Sequence, residues 1–151
     1  MTRIMVAGIG SPHGQDIAGW LVIDKLEKNF SPRLSSLVEC VKLQTPMDLI
    51  DRIELSPAAN CNMQQTWILV DACLGLDAGA VHRWTWPEIP NELATRSSTH
   101  ALGLIETIRV AESLGILAKQ VRIYGVSTED LQASVDRCAE LIRSDLSELL
   151  A

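Results

Sequence analysis

The chain has no CxxC pair among its four cysteines, no excess of basic charge, no long apolar run and no GxSxG. Each absence removes a class of function. Cys40, Cys61, Cys73 and Cys138 are scattered, and no basic segment followed by an apolar run and a cleavage site opens the sequence, so a reduced, cytoplasmic chain is expected. The net charge of −6 speaks against a general nucleic-acid binder, whose footprint is basic. A membrane-spanning helix requires roughly 20 apolar residues, and here every apolar stretch is shorter and broken by charge, so no membrane insertion is expected. Nucleophilic catalysis has little support, because no cysteine sits in a recognisable signature either. Cys73 reads as a small packed residue.

What is present is one ordinary domain's worth of chain, 151 residues with 47% apolar and 21% charged side chains. That length buries about two thirds of its unfolded surface, and a single domain over residues 1–151 is expected. Arg3 to Ile9 reads as a strand that stops at glycines, followed by a helix over Ile17 to Asn29 that should be largely covered. Ser36 to Leu43 reads as a second strand. Pro46 to Glu54 reads as a short helix with the proline in its first turn. Residues 55 to 65 are polar and rich in breakers, as a surface loop would be.

Thr66 to Val70 is continuously apolar, as a strand covered on both faces is, and places Asp71 at its carboxyl end. Val81 to Trp86 reads as a strand and Pro87 to Thr99 as a long loop. Ala101, Leu104, Ile105, Ile108 and Ala111 mark one face of a helix that begins near His100 and stops near Gly115. Val121 to Val126 is another strand. Ser127 and Asp130 have capping-box spacing ahead of an amphipathic helix through Leu149. Strands alternating with helices predict an α/β, three-layer domain: a mostly parallel open sheet with helices on both faces.

Ligands of such sheets bind outside the carboxyl ends of the strands. In such a fold three segments can converge there: Gly8-Ile9-Gly10-Ser11-Pro12-His13-Gly14-Gln15-Asp16, Ile68-Leu69-Val70-Asp71-Ala72 and Ser97-Ser98-Thr99-His100-Ala101-Leu102-Gly103-Leu104. Asp16, Asp71 and His100 are candidate metal ligands, two carboxylates and an imidazole. Asp16 alone would be an ordinary helix N-terminal acid. Asp71, directly after buried strand residues, must be solvated, hydrogen-bonded or bound to a cation. A positive helix end favours the neutral imidazole at His100, the form that binds metal. His13 and His82 read as structural or exposed. Gly8, Gly10 and Gly14 imitate a dinucleotide fingerprint weakly, and serve equally well as turn glycines with positive φ. Trp84 and Trp86 alternate along one strand face, a peptide-docking candidate if that face is open.

Taken together, the three segments resemble the hydrogenase maturation endopeptidases, over nearly the whole chain. The GxGN-type loop of that family is similar to Gly8-Ile9-Gly10-Ser11. Its Asp-Ala strand end matches Asp71-Ala72, and its His-x-Leu-Gly-Leu helix start matches His100-Ala101-Leu102-Gly103-Leu104. The resemblance implies that Asp16, Asp71 and His100 are metal-contacting and catalytic residues. It also implies that the nickel arrives with the partner, a [NiFe] hydrogenase large-subunit precursor. Departures fall at Ser11, where Asn is usual, at Gln15, where an acid is common, and at Leu43-Gln44-Thr45-Pro46, which replaces a Gly-Gly-Thr turn.

The leading expectation is therefore an endopeptidase that removes the precursor's C-terminal extension once nickel is inserted. The altered turn motivates an alternative, a non-cleaving relative that binds the metalloprotein or its C-terminal peptide. A nucleotide-binding enzyme rests on GxGxxxG alone.

Overall fold

The computed structural model describes residues 3–54, 65–90 and 99–151. Strands β1 (Arg3–Ile9), β2 (Val38–Leu43), β3 (Gln65–Cys73), β4 (Val81–Thr85) and β5 (Gln120–Ser127) form one sheet in the order β2-β1-β3-β5-β4. All neighbours are parallel except the β4–β5 edge pair, which is antiparallel. The helices are α1 (Ala18–Lys28), α2 (Pro32–Leu37), α3 (Asp48–Glu54), α4 (Thr99–Ser113) and α5 (Leu131–Leu149), with a 3-10 turn over Gly14–Ile17. The expected α/β architecture is the one observed.

Strand alternation divides the core into two layers. Ile4, Val6, Ile68, Val70, Tyr124 and Val126 face α1 and α5, whose Val22, Ile23, Leu26, Val135, Cys138 and Ile142 cover them. Met5, Ala7, Ile9, Trp67, Leu69 and Ile123 face the other way, against Leu49 and Ile50 of α3 and Leu104, Ile108 and Ala111 of α4. Helix α1 buries a single stripe, Ala18, Gly19, Val22, Ile23 and Leu26, with Asp24, Glu27 and Lys28 exposed.

Several boundaries differ from the sequence reading. Residues 32–37 form α2, whose Ser31 hydroxyl accepts the Leu34 N–H at 3.2 Å with Pro32 at the first position, so the second strand starts at Val38 and not at Ser36. Pro46 lies in a turn ahead of α3, and Asp48 Oδ2 there accepts the Thr45 N–H at 3.1 Å. Strand β4 ends at Thr85, before Trp86. The capping box at Ser127 is not formed. Asp130 takes a left-handed conformation with φ 53°, its side chain caps nothing, and Ser127 Oγ accepts the Glu129 N–H instead. The loop read at 55–65 and most of the loop at 87–99 lie outside the described residues.

One charged cluster centres on the buried Asp145, between α5 and the sheet, with Arg83 reaching it from a half-exposed position. Asp145, 5% exposed, accepts a hydrogen bond from the Tyr124 hydroxyl and from Arg83 Nη1 at 2.9 Å, and Arg122 Nη1 lies 3.1 Å away. Burial, together with the adjoining Asp145 carboxylate, pushes the Tyr124 phenol above its ordinary range. Removing one member of a buried ionic cluster leaves the others uncompensated, at a cost of about 3–5 kcal/mol. Asp145→Ala is expected to fall in that range by urea unfolding; a loss under about 1 kcal/mol would mean the cluster is solvated in the folded protein.

Candidate functional site

The connection from β1 leads to β2 on one side of the sheet, and the connection from β3 leads toward β4 and β5 on the other. A crevice at the carboxyl ends of β1 and β3 is thus a topological switch point. The β1–α1 loop reaches it through close backbone approaches. A Cβ at Gly8 would collide with the Gly19 carbonyl, and one at Gly10 with the Asp16 carbonyl. A Cβ at Gly19 would sit 2.5 Å from Ile9 O and 2.8 Å from Val70 O. Only Gly14 of the motif has a positive φ, 57°, so Gly8 and Gly10 serve close packing, not the positive-φ turn expected of them.

Asp16 lies in the 3-10 turn and is half-buried. Its carbonyl accepts the Ser11 N–H at 3.1 Å and its own N–H donates to His13 O at 3.2 Å, which closes the loop on itself. Leu43 O at the end of β2 accepts both the Gly10 N–H at 2.9 Å and Trp20 Nε1–H at 3.1 Å. One carbonyl therefore ties β2, the Asp16 loop and α1 together.

Asp71 is inside β3, not beyond it, because pairing with β5 continues to Cys73. It faces the α3/α4 side, in step with Trp67 and Leu69, and is 4% exposed. Its Oδ1 accepts the Ala72 N–H at 2.8 Å. On the β5 side it pairs with Gly125, whereas β1 stops pairing with β3 at Gly8–Val70, one residue earlier. A cavity of about 20 Å³ beside it is lined by Asp71, Cys73, Trp84, Leu104, Ile105 and Gly125, among others.

His100 is the second residue of α4, near the positive end of that helix, and its side chain lies outside the described residues. Convergence of Asp16, Asp71 and His100 therefore stays an expectation. Among the described residues, no three His, Cys, Asp or Glu form a group that could hold a metal by themselves. His13 and His82 are exposed, and the His82 ring lies 5.7 Å from that of Trp84. Trp84 and Trp86 are half-buried against the core, and Trp86 Nε1–H donates to Glu112 at 3.4 Å, so the face on which docking was conditional is largely packed. Burial, helped by Glu27 and Glu39, pushes the Cys40 thiol up to about 12, and burial likewise raises Cys138, which makes neither a nucleophile.

Sequence reasoning missed the wall built by Trp84. Its signal was Gly125, an isolated glycine inside a strand, which marks a close approach. It also missed the clasp on α4, where the buried Thr107 hydroxyl donates to Gly103 O at 2.7 Å and lies 3.2 Å from Met47 Sδ.

The family model described as hydrogenase maturation protease, HycI, matches residues 22–148. The chain belongs to that family. The matched span includes Asp71 and His100 and begins after Asp16. Solved structures show the same fold. An endopeptidase from Escherichia coli superimposes with a TM-score of 0.78 at 21% identity, over 97% of this chain and 93% of that one. The hydrogenase maturating endopeptidase HybD from E. coli gives 0.74 at 20% identity, with the same coverage. The [NiFe] hydrogenase maturation protease HycI from Thermococcus kodakarensis gives 0.60 at 23%, over 96% and 92%. A search of curated proteins produced no match. No helix among the described residues is long and apolar enough to cross a membrane.

Trp20→Phe keeps the ring and deletes the donor to Leu43 O, while the Gly10 N–H still satisfies that carbonyl. The expected loss of stability is about 0.5–1.5 kcal/mol, read by denaturant unfolding. Gly19→Ala, which drives a methyl into Ile9 O and Val70 O, is expected to cost at least about 3 kcal/mol, at or beyond the upper end of ordinary overpacking. A Gly19→Ala protein of unchanged stability would show that the α1–sheet contact is soft.

Proposed function

We propose that this protein removes the C-terminal extension of a nickel-loaded [NiFe] hydrogenase large-subunit precursor, with Asp16, Asp71 and His100 contacting the nickel carried by that substrate. The observation that carries the reading is the placement of Asp71. Asp71 is a carboxylate 4% exposed on a central strand, at the edge where β1 has stopped pairing with β3, and that is the edge at which open α/β sheets bind their ligands. Family membership supplies the reaction class, and the fold neighbours supply the scaffold.

In this reading the chain's own residues bind and orient. The half-buried Asp16 turn, braced by Gly10 and Leu43, presents one acid beside the end of β1. Asp71 presents a second, with Oδ1 steadied by the Ala72 N–H. The start of α4 brings His100, whose place near a helix N-terminus favours the neutral, ligating form. The precursor's nickel then fixes the scissile peptide relative to the sheet edge. A carboxylate within hydrogen-bond reach of a water serves as base, and a metal ion polarises the carbonyl. The protein acts in the cytoplasm in this reading, where the unprocessed precursor would be met.

Intact mass spectrometry of a nickel-loaded precursor, with and without the protein, tests the proposal. Loss of a defined C-terminal peptide only when nickel is present is the expected result. Asp71→Ala and His100→Ala are each expected to lower the rate by more than the roughly 10–100-fold that loss of a supporting residue costs. Full processing by either variant overturns the three-residue site. Binding of the precursor by the wild type without any mass change establishes the non-cleaving alternative, and directs attention to the turn at Gln44 to Pro46.

A further inference from the structure

The geometry points to Trp84 as the positioning residue for Asp71: its indole closes the sheet-edge side of the carboxylate. The inference rests on the reading that Asp71 meets the precursor's nickel, and adds a residue that the three-ligand site does not contain.

The warrant lies in the register. Asp71 of β3 pairs with Gly125 of β5, and both positions face the α3/α4 side, in step with Leu69 and Ile123. Any side chain at position 125 would stand directly beside the carboxylate. Trp84 of β4 pairs with Ile123, two residues before Gly125 on the same face. A Cβ at Gly125 would lie 2.9 Å from Trp84 Cζ3, 3.1 Å from Trp84 Cη2 and 3.1 Å from Cys73 Cβ. The six-membered edge of the indole therefore fills the place of the missing side chain. It crosses β5 and reaches the strand that bears Asp71.

The ring and Asp71 line the same cavity of about 20 Å³, with Leu104 and Ile105 of α4 as further walls, leaving room for about one water. His82 stands against the ring at 5.7 Å with an interplanar angle of 49°. Ligands for a metal must be held to about 0.5 Å by their surroundings, which a rigid aromatic plate achieves and bulk water does not.

Carbodiimide labelling of Asp71 in the free protein, read by peptide mass spectrometry, reports the wall without any substrate. The kcat and KM for a nickel-loaded precursor report its consequence. Trp84→Ala is expected to raise Asp71 labelling several-fold and to lower kcat by roughly 10²-fold, the scale of a 1 Å misplacement, with KM little changed. Trp84→Phe, which keeps an aromatic plate, should restore most of both. Gly125→Ala, which pushes a methyl into the ring's place, should act in the direction of Trp84→Ala and keeps the test decisive if that variant does not fold. Unchanged labelling in folded Trp84→Ala and Gly125→Ala overturns the inference, as does raised labelling with unaltered kcat. A wild type that fails to process the precursor, while labelling still responds to Trp84, overturns the nickel reading and sustains the wall.

Discussion

The site depends on how closely the first turn of α1 approaches the ends of β1 and β3. Gly8 and Gly19 let helix backbone touch strand backbone, and Gly10 lets the loop fold back onto the Asp16 carbonyl. Larger residues at these positions would lift α1 and carry Asp16 away from the crevice with it. The approach is then fastened by polar groups, since Leu43 O receives both Gly10 and Trp20. Packing sets the distance and hydrogen bonding sets the angle. The glycine motif that imitates a nucleotide fingerprint is in this chain a packing device.

Asp71 shows the opposite use of burial. Its strand neighbours Ile68, Leu69 and Val70 are fully buried, and the strand runs on through Ala72 to a buried Cys73. A carboxylate taken out of water there needs polar partners to offset its lost hydration, and the Ala72 N–H at Oδ1 is one of them. The buried Asp145 differs in kind. It is surrounded by two arginines and a phenol and fastens α5 to β4 and β5.

Much of the architecture was legible from periodicity, because many of its strands and helices are bounded by breakers that also bound them in space. The stop of α4 near Gly115 is one case, where φ is 72°. The errors have physical causes. Six residues of α2 carry too little periodicity to separate from a strand start, although Ser31-Pro32 was an N-terminal signal of the right kind. Asp71 was read as ending its strand because a charge usually does, whereas tertiary pairing with β5 carried the strand two residues further. Ser127 and Asp130 had capping-box spacing, yet the left-handed Asp130 turned the serine to a local bond. Chemistry-bearing residues could be listed from the sequence. Gly125 signalled a close approach there, but that Trp84 makes it depends on a cross-strand register between segments about 40 residues apart, which no local pattern encodes.

The turn at Leu43-Gln44-Thr45-Pro46 is where β2 hands its constraints to α4. A Cβ at Gly103 would lie 3.6 Å from Pro46 Cγ, and Met47 Sδ lies 3.2 Å from the Thr107 hydroxyl one helical turn further on. Gly103 and Thr107 occupy the same face of α4 because they are four residues apart. The turn therefore bears on α4 along one face, a few residues from His100. Leu43 meanwhile holds the Asp16 loop through its carbonyl. A change of turn sequence acts at once on the helix that carries the histidine and on the loop that carries the first aspartate, without replacing either. The crevice wall can therefore change through Gln44 to Pro46 while Asp16, Asp71 and His100 stay as they are.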